Sequence, residues 1–171
     1  MDSNKVKQLH TLIKEVYNVA EELKIDNILY NEKYIEIILA DLLAHDINKE
    51  TQGADAFDGD IWIDYKTANL ATPSVRKQKN PKVTFQFHWI SKEKLEKCKK
   101  CIFYCAIREN AKILKVYKVP YQMIQAELEE EHFKGELRRQ QIGKKKGTDA
   151  HLFLKEEVLI ERGAEIVYKY E

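Results

Sequence analysis

Two short runs near the middle of the chain restrict the fold most. Residues 60–67 (DIWIDYKT) and 83–90 (VTFQFHWI) are dense in β-branched and aromatic residues, so they predict strands. Helical patterns lie on either side. After Ser3, which can cap free amides, Val6, Leu9, Ile13, Val16, Ala20 and Leu23 recur at three- and four-residue steps and predict a long amphipathic helix. A second helix is expected from about Asn31, with Ile35, Ile38, Leu39 and Leu42 as its apolar stripe and Glu36 beside it. Ser91 can cap a short helix over 91–99, and strands are expected at 101–107 and 111–119 around a turn at Glu109 and Asn110. Pro120 suits the first position of a third long helix, which Gly135 is expected to break. The tail predicts a strand over 151–154, a helix ending at Gly163 and a last strand over 165–170. Helices followed by strands and then mixed elements predict an α/β sandwich, a central mixed β-sheet flanked by helices.

A length of 171 residues suits a single domain with a real core. Six glycines and three prolines argue against long disordered stretches. The first nine residues are polar and charged, and no apolar run reaches membrane-spanning length, so the expectation is a cytoplasmic protein without a membrane partner. Cys98, Cys101 and Cys105 are an odd number in a chain with no export signal, which favours buried thiols over disulfides. Zinc is the weaker alternative, with His88 as the nearest fourth ligand. Net charge is only +1, but its distribution is uneven. Nine acids face two lysines between 28 and 64, and thirteen Lys or Arg face three Glu between 76 and 118. A second basic cluster runs from Arg138 to Lys146. Such a sequence of signs fits a metal site beside a phosphate-binding surface, against the plainer reading of a solvated charged surface.

The chemistry concentrates in residues 53–68, GADAFDGDIWIDYKTA. Alternate side chains of a strand share a face, so Asp64 and Lys66 project together with Trp62, about 6–7 Å apart. Ile61, Ile63 and Tyr65 then face the other way, into packing. Asp58, Gly59 and Asp60 can turn the chain so that Asp55 comes alongside Asp64. Two carboxylates and a backbone carbonyl make a hard-oxygen site suited to Mg²⁺, with Mn²⁺ as a substitute. Lys66 can orient a water or stabilise charge on a phosphate. The competing reading makes Asp58 and Asp60 turn residues, and Asp64 and Lys66 an ion pair on an edge strand.

An Asp, a short gap and then (Asp/Glu)-x-Lys on a strand, here Asp55…Asp64-Tyr65-Lys66, resembles the signature of the PD-(D/E)XK nuclease superfamily. The order of elements over about 31–119 is also similar. Ala54 stands where the family's proline would be, and the second acid is Asp rather than the commoner Glu. The resemblance implies a restriction-endonuclease-like fold over 1–171, with a catalytic core at about 31–119 and a helix plus DNA-recognition segment over 120–171. It implies Asp55, Asp64 and Lys66 as catalytic residues, Glu36 as a helical acid completing the metal site, and the Tyr65 carbonyl as a further ligand. A compact chain with no ATP-binding motif is most similar to a small Type II restriction endonuclease. Such enzymes cut double-stranded DNA as homodimers and are accompanied by a separate DNA methyltransferase.

Base reading then falls to Arg138, Arg139, Gln140, Gln141, Lys144, Lys145, Lys146 and His151, since Arg and Gln can bond guanine and adenine edges bidentately. Arg76, Lys77 and Lys79 are expected to hold phosphates. His45 and His88 read as surface or packing residues. The alternatives are a structure-selective resolvase or repair nuclease of the same superfamily, and a non-catalytic DNA-binding domain on its scaffold.

Overall fold

A computed structural model describes residues 3–25, 28–29, 32–50, 53–78, 82–143 and 149–171, without the side chains of Ser3, Pro73 and Arg76. The chain forms two compact units, Met1–Phe57 and Asp58–Glu171. It is α/β, with a mixed central sheet and helices.

The first unit holds helices α1 (Ser3–Glu22) and α2 (Lys33–Leu43), and strand β1 (Asp46–Ile47). Strand β2 (Ala56–Asp58) pairs with β1 in antiparallel register, Asp46 with Phe57 and Ile47 with Ala56. The apolar stripe predicted for α1 is there, but only Ala20 on it is buried, packed with Ile25 and Ile28. Helix α2 buries Ile35 and Leu39, and Ala44 in the left-handed region closes it, its amide bonded back to Ala40 and Asp41. Asn31, where this helix was expected to begin, lies outside the described residues.

In the second unit the chain turns through Gly59, whose φ of 57° favours a residue without a side chain, and enters β3 (Ile61–Asn69). The elements that follow are α3 (Pro73–Arg76), β4 (Thr84–Phe87), α4 (Lys92–Cys98), β5 (Cys101–Glu109) and β6 (Lys112–Pro120). After them come α5 (Tyr121–Ile142), β7 (Leu152–Lys155), α6 (Glu156–Glu161) and β8 (Glu165–Lys169). The sheet order here is β3-β5-β6-β8. β3 and β5 are parallel, which requires the long crossover through α3, β4 and α4, and the other neighbours are antiparallel. β5 is central and buried on both faces: Phe103, Cys105 and Ile107 join the main core with Phe85, Phe87 and Ile124. A second, two-stranded sheet pairs β4 with β7.

Ser91 caps α4, its hydroxyl accepting from the Lys94 amide. Three expectations need correcting. Pro120 precedes α5 as its cap instead of starting it. Residues 68–82, a polar stretch with two of the three prolines that reads as a loop, contain the short helix α3. Finally, α5 runs unbroken through the buried Gly135.

A Cβ on Gly135 would lie 2.9 Å from the Ala150 Cβ, so the glycine admits a close approach of the two segments. Gly135→Ala recovers about 1 kcal/mol of helix propensity. Overpacking against Ala150 costs about 1–3 kcal/mol, so the net effect is expected to be destabilising. Urea unfolding checks this, and Ala150→Gly in the same chain should restore the loss. A more stable single variant would contradict the packing argument.

Candidate active site

Strand β3 sorts its side chains by alternation. Ile63 and Tyr65 are buried on one face, with the Tyr65 ring edge-on to Tyr104 at 6.3 Å. Trp62, Asp64 and Lys66 occupy the other face. Ile61, expected to pack, is 42% exposed at the strand's start. Lys66 Nζ donates to Asp64 Oδ1 and lies 3.5 Å from the Tyr65 carbonyl oxygen. A carboxylate oxygen and a carbonyl oxygen therefore converge on one cationic point. The two form an ion pair, as in the competing reading, with their side chains only 15% and 19% exposed.

The surroundings are apolar. The Phe87 ring lies 5.4 Å from Lys66 Nζ and edge-on to Phe103 at 5.1 Å. Cys105 is the register partner of Lys66 on β5. Burial pushes its thiol far up, and burial followed by the nearby Asp64 charge pushes Cys98 up to about 11. Both sulfurs are thus held as thiols at neutral pH.

Pairing of β4 with β7 brings together two histidines 63 positions apart. Their Nδ1 atoms are 3.0 Å apart, which requires one to donate and the other to accept. Trp89 stands beside both rings, 65% exposed and held in the left-handed region at φ 49°. Lys94 Nζ donates to the His88 carbonyl at 2.9 Å. His88, read from sequence as a surface or packing residue, is instead part of this cluster. Its pKa is lowered from 6.5 by burial first, then by His151, Lys94 and Lys66.

The folded chain therefore binds fewer protons at His88 than the unfolded chain does. The stability held above about pH 6.5 is lost as pH falls toward the depressed folded-state value. Urea midpoints at about pH 7.5 and about pH 5.5 are expected to differ less for His88→Gln than for the native chain. Equal differences would remove His88 from the titration.

Glu36 and Asp55 lie in the first unit. Glu36 Oε2 accepts from the buried Lys33 Nζ at 2.7 Å, and the same ammonium donates to the Asn48 carbonyl at 2.8 Å. Asp55 precedes β2, and its carbonyl accepts from the Asn48 amide at 3.0 Å. Glu36 and Asp64 thus each have a lysine as counter-ion. Among the described residues no group of three or more His, Cys, Asp or Glu is arranged to hold a metal ion. The fit to Mg²⁺ rests on the chemistry of the Asp64 and Tyr65 oxygens, which are hard donors and here lie against the Lys66 ammonium.

The proposed DNA contacts divide unevenly. Arg138 lines a cavity of about 490 Å³ with Glu131, Asp149, His151, Leu152 and Phe153, and its buried Nε has no hydrogen-bond partner among the described residues. Arg139 is engaged by Glu136 and, at 3.5 Å, by Asp149. Gln140, Gln141 and Lys77 are exposed, whereas Lys79, Lys144, Lys145 and Lys146 lie outside the described residues, as does the Arg76 side chain. No helix among the described residues is long and apolar enough to cross a membrane. Comparison with known proteins finds no family model that matches the chain and no curated protein similar to it.

Proposed function

We propose that the chain is a Mg²⁺-dependent endonuclease of the PD-(D/E)XK kind, acting on double-stranded DNA in the manner of a Type II restriction enzyme. The observation that carries the reading is that Asp64 and Lys66 share one shielded face of β3, with Asp64 Oδ1 and the Tyr65 carbonyl both against the Lys66 ammonium. A bound Mg²⁺ supplies Lewis acidity toward the phosphodiester, and Mn²⁺ can replace it. Asp64 and the Tyr65 carbonyl would hold the ion. Lys66 would then orient the attacking water or offset charge developing on the phosphate. From the family resemblance alone, Asp55→Asn and Glu36→Gln are also expected to lose rate. Arg138, which lines the same cavity as His151, is a candidate for a DNA contact.

Digestion of a long phage DNA with Mg²⁺, followed by mapping of fragment ends, tests this reading. Discrete fragments that EDTA abolishes are expected. A smear would favour the second reading, a structure-selective nuclease, which the internal pairing of Arg139 with Glu136 and Asp149 supports. Uncut DNA retarded on a gel would replace both with a binding module. For a Type II enzyme, a separate methyltransferase would protect the same sites.

A further inference from the structure

The outer face of the β4–β7 ribbon carries a strip of exposed rings. The inner side chains of the ribbon, Phe85, Phe87, Leu152 and Leu154, are buried in the main core. Gln86 pairs with Phe153 in the register of the two strands, and alternation puts Thr84, His88, His151 and Lys155 on their side. None of these six residues is acidic. Phe153 is 56% exposed, and Trp89, next to His88, is more exposed still. The His88 and His151 ring centroids are 5.1 Å apart, and that of Trp89 lies 5.7 Å from the first and 6.4 Å from the second. The left-handed backbone of Trp89 disfavours a bulky side chain. An indole left in solvent on a strained backbone is placed as a contact residue, not as a core one.

The charges around the strip are basic. His88 feels Lys94 and Lys66 as well as His151. Glu131 and Asp149 line the adjoining cavity with Arg138, His151 and Phe153, but they are engaged by Lys134 at 2.8 Å and by Arg139 at 3.5 Å. Open ring faces beside cations are the two features with which proteins hold unpaired nucleotides, rings stacking on bases and cations meeting phosphates. Bases inside a duplex are already stacked on both faces, so the same rings offer little to an intact helix.

We propose that Trp89, His88, His151 and Phe153 form a stacking platform for the bases of an unpaired DNA strand. The choice of DNA rests on the nuclease reading, because Lys66 of the candidate active site is one of the charges that reach His88. The stacking itself does not depend on the chemistry at Asp64. A strand on the platform is then the unpaired arm of a substrate whose duplex lies at the neighbouring site.

Fluorescence anisotropy of a labelled oligodeoxythymidine of about 12 nucleotides, measured in EDTA so that nothing is cut, tests the platform. The native chain should bind it. Trp89→Ala and Phe153→Ala should each weaken binding by about tenfold, within the range for losing one base stack. Trp89→Phe keeps a ring and should keep most of the affinity, and binding of a blunt duplex should not change. Both side chains are exposed, so the variants should unfold at the native urea midpoint. No binding of the oligonucleotide, or equal binding by the native chain and both alanine variants, would overturn the platform. Equal weakening of single strand and duplex would also overturn it, making the strip a general DNA contact. A chain that cuts duplex DNA but ignores single strands would sink the platform and leave the nuclease reading standing. Single-strand binding that needs Trp89, in a chain that cuts nothing, would do the reverse.

Discussion

Asp64→Asn is expected to reduce Mg²⁺-dependent DNA cleavage by at least about 10²–10³-fold, the scale on which single charge-stabilising groups act. The amide keeps the shape of the side chain and can still lie beside Lys66, so the strand should keep its place. What disappears is the negative charge, and with it the strongest of the two oxygens that meet at Lys66 Nζ. DNA binding should persist, because phosphate contacts come from basic residues elsewhere. Single-turnover cleavage and gel retardation measured on one preparation separate these outcomes. Parallel loss of binding and cleavage would make Asp64 a structural residue. Lys66→Met should also lower the rate while leaving the Mg²⁺ requirement in place.

Phe87→Ala is expected to destabilise the chain by about 3–5 kcal/mol, the usual cost of emptying a buried phenylalanine site. Phe87 is 1% exposed, packs edge-on against Phe103 and supports the Lys66 ammonium with its ring. Its neighbours on β4 and β5 are tied into their sheets and cannot collapse freely into the space. A domain of this size holds roughly 5–15 kcal/mol in all, so the variant should unfold at markedly lower urea. A loss below about 1 kcal/mol would show that the site can close around the missing ring.

Long periodic segments were legible in the sequence, and contacts made at a distance were not. The α1 pattern, the Ser91 cap and the runs at 60–67 and 101–107 carry their structure in local spacing. Strands β1 and β2 are two and three residues long, too short for any alternation to register. Gly135 reads as a helix breaker because its propensity is poor, yet the approach of Ala150 is what selects it. The face of Asp64 and Lys66 follows from alternation alone. The cluster of His88, Trp89 and His151 depends on the β4–β7 register, which no short-range signal encodes. Periodicity likewise marks the apolar face of α1 without saying what covers it.

The central claim is that this chain itself hydrolyses DNA through Asp64. Its most direct measurement is cleavage of one end-labelled duplex by the native protein and by Asp64→Asn, each with Mg²⁺ and with EDTA. Product is expected only for the native protein with Mg²⁺. Equal cleavage by both proteins, or cleavage that survives EDTA, would contradict it.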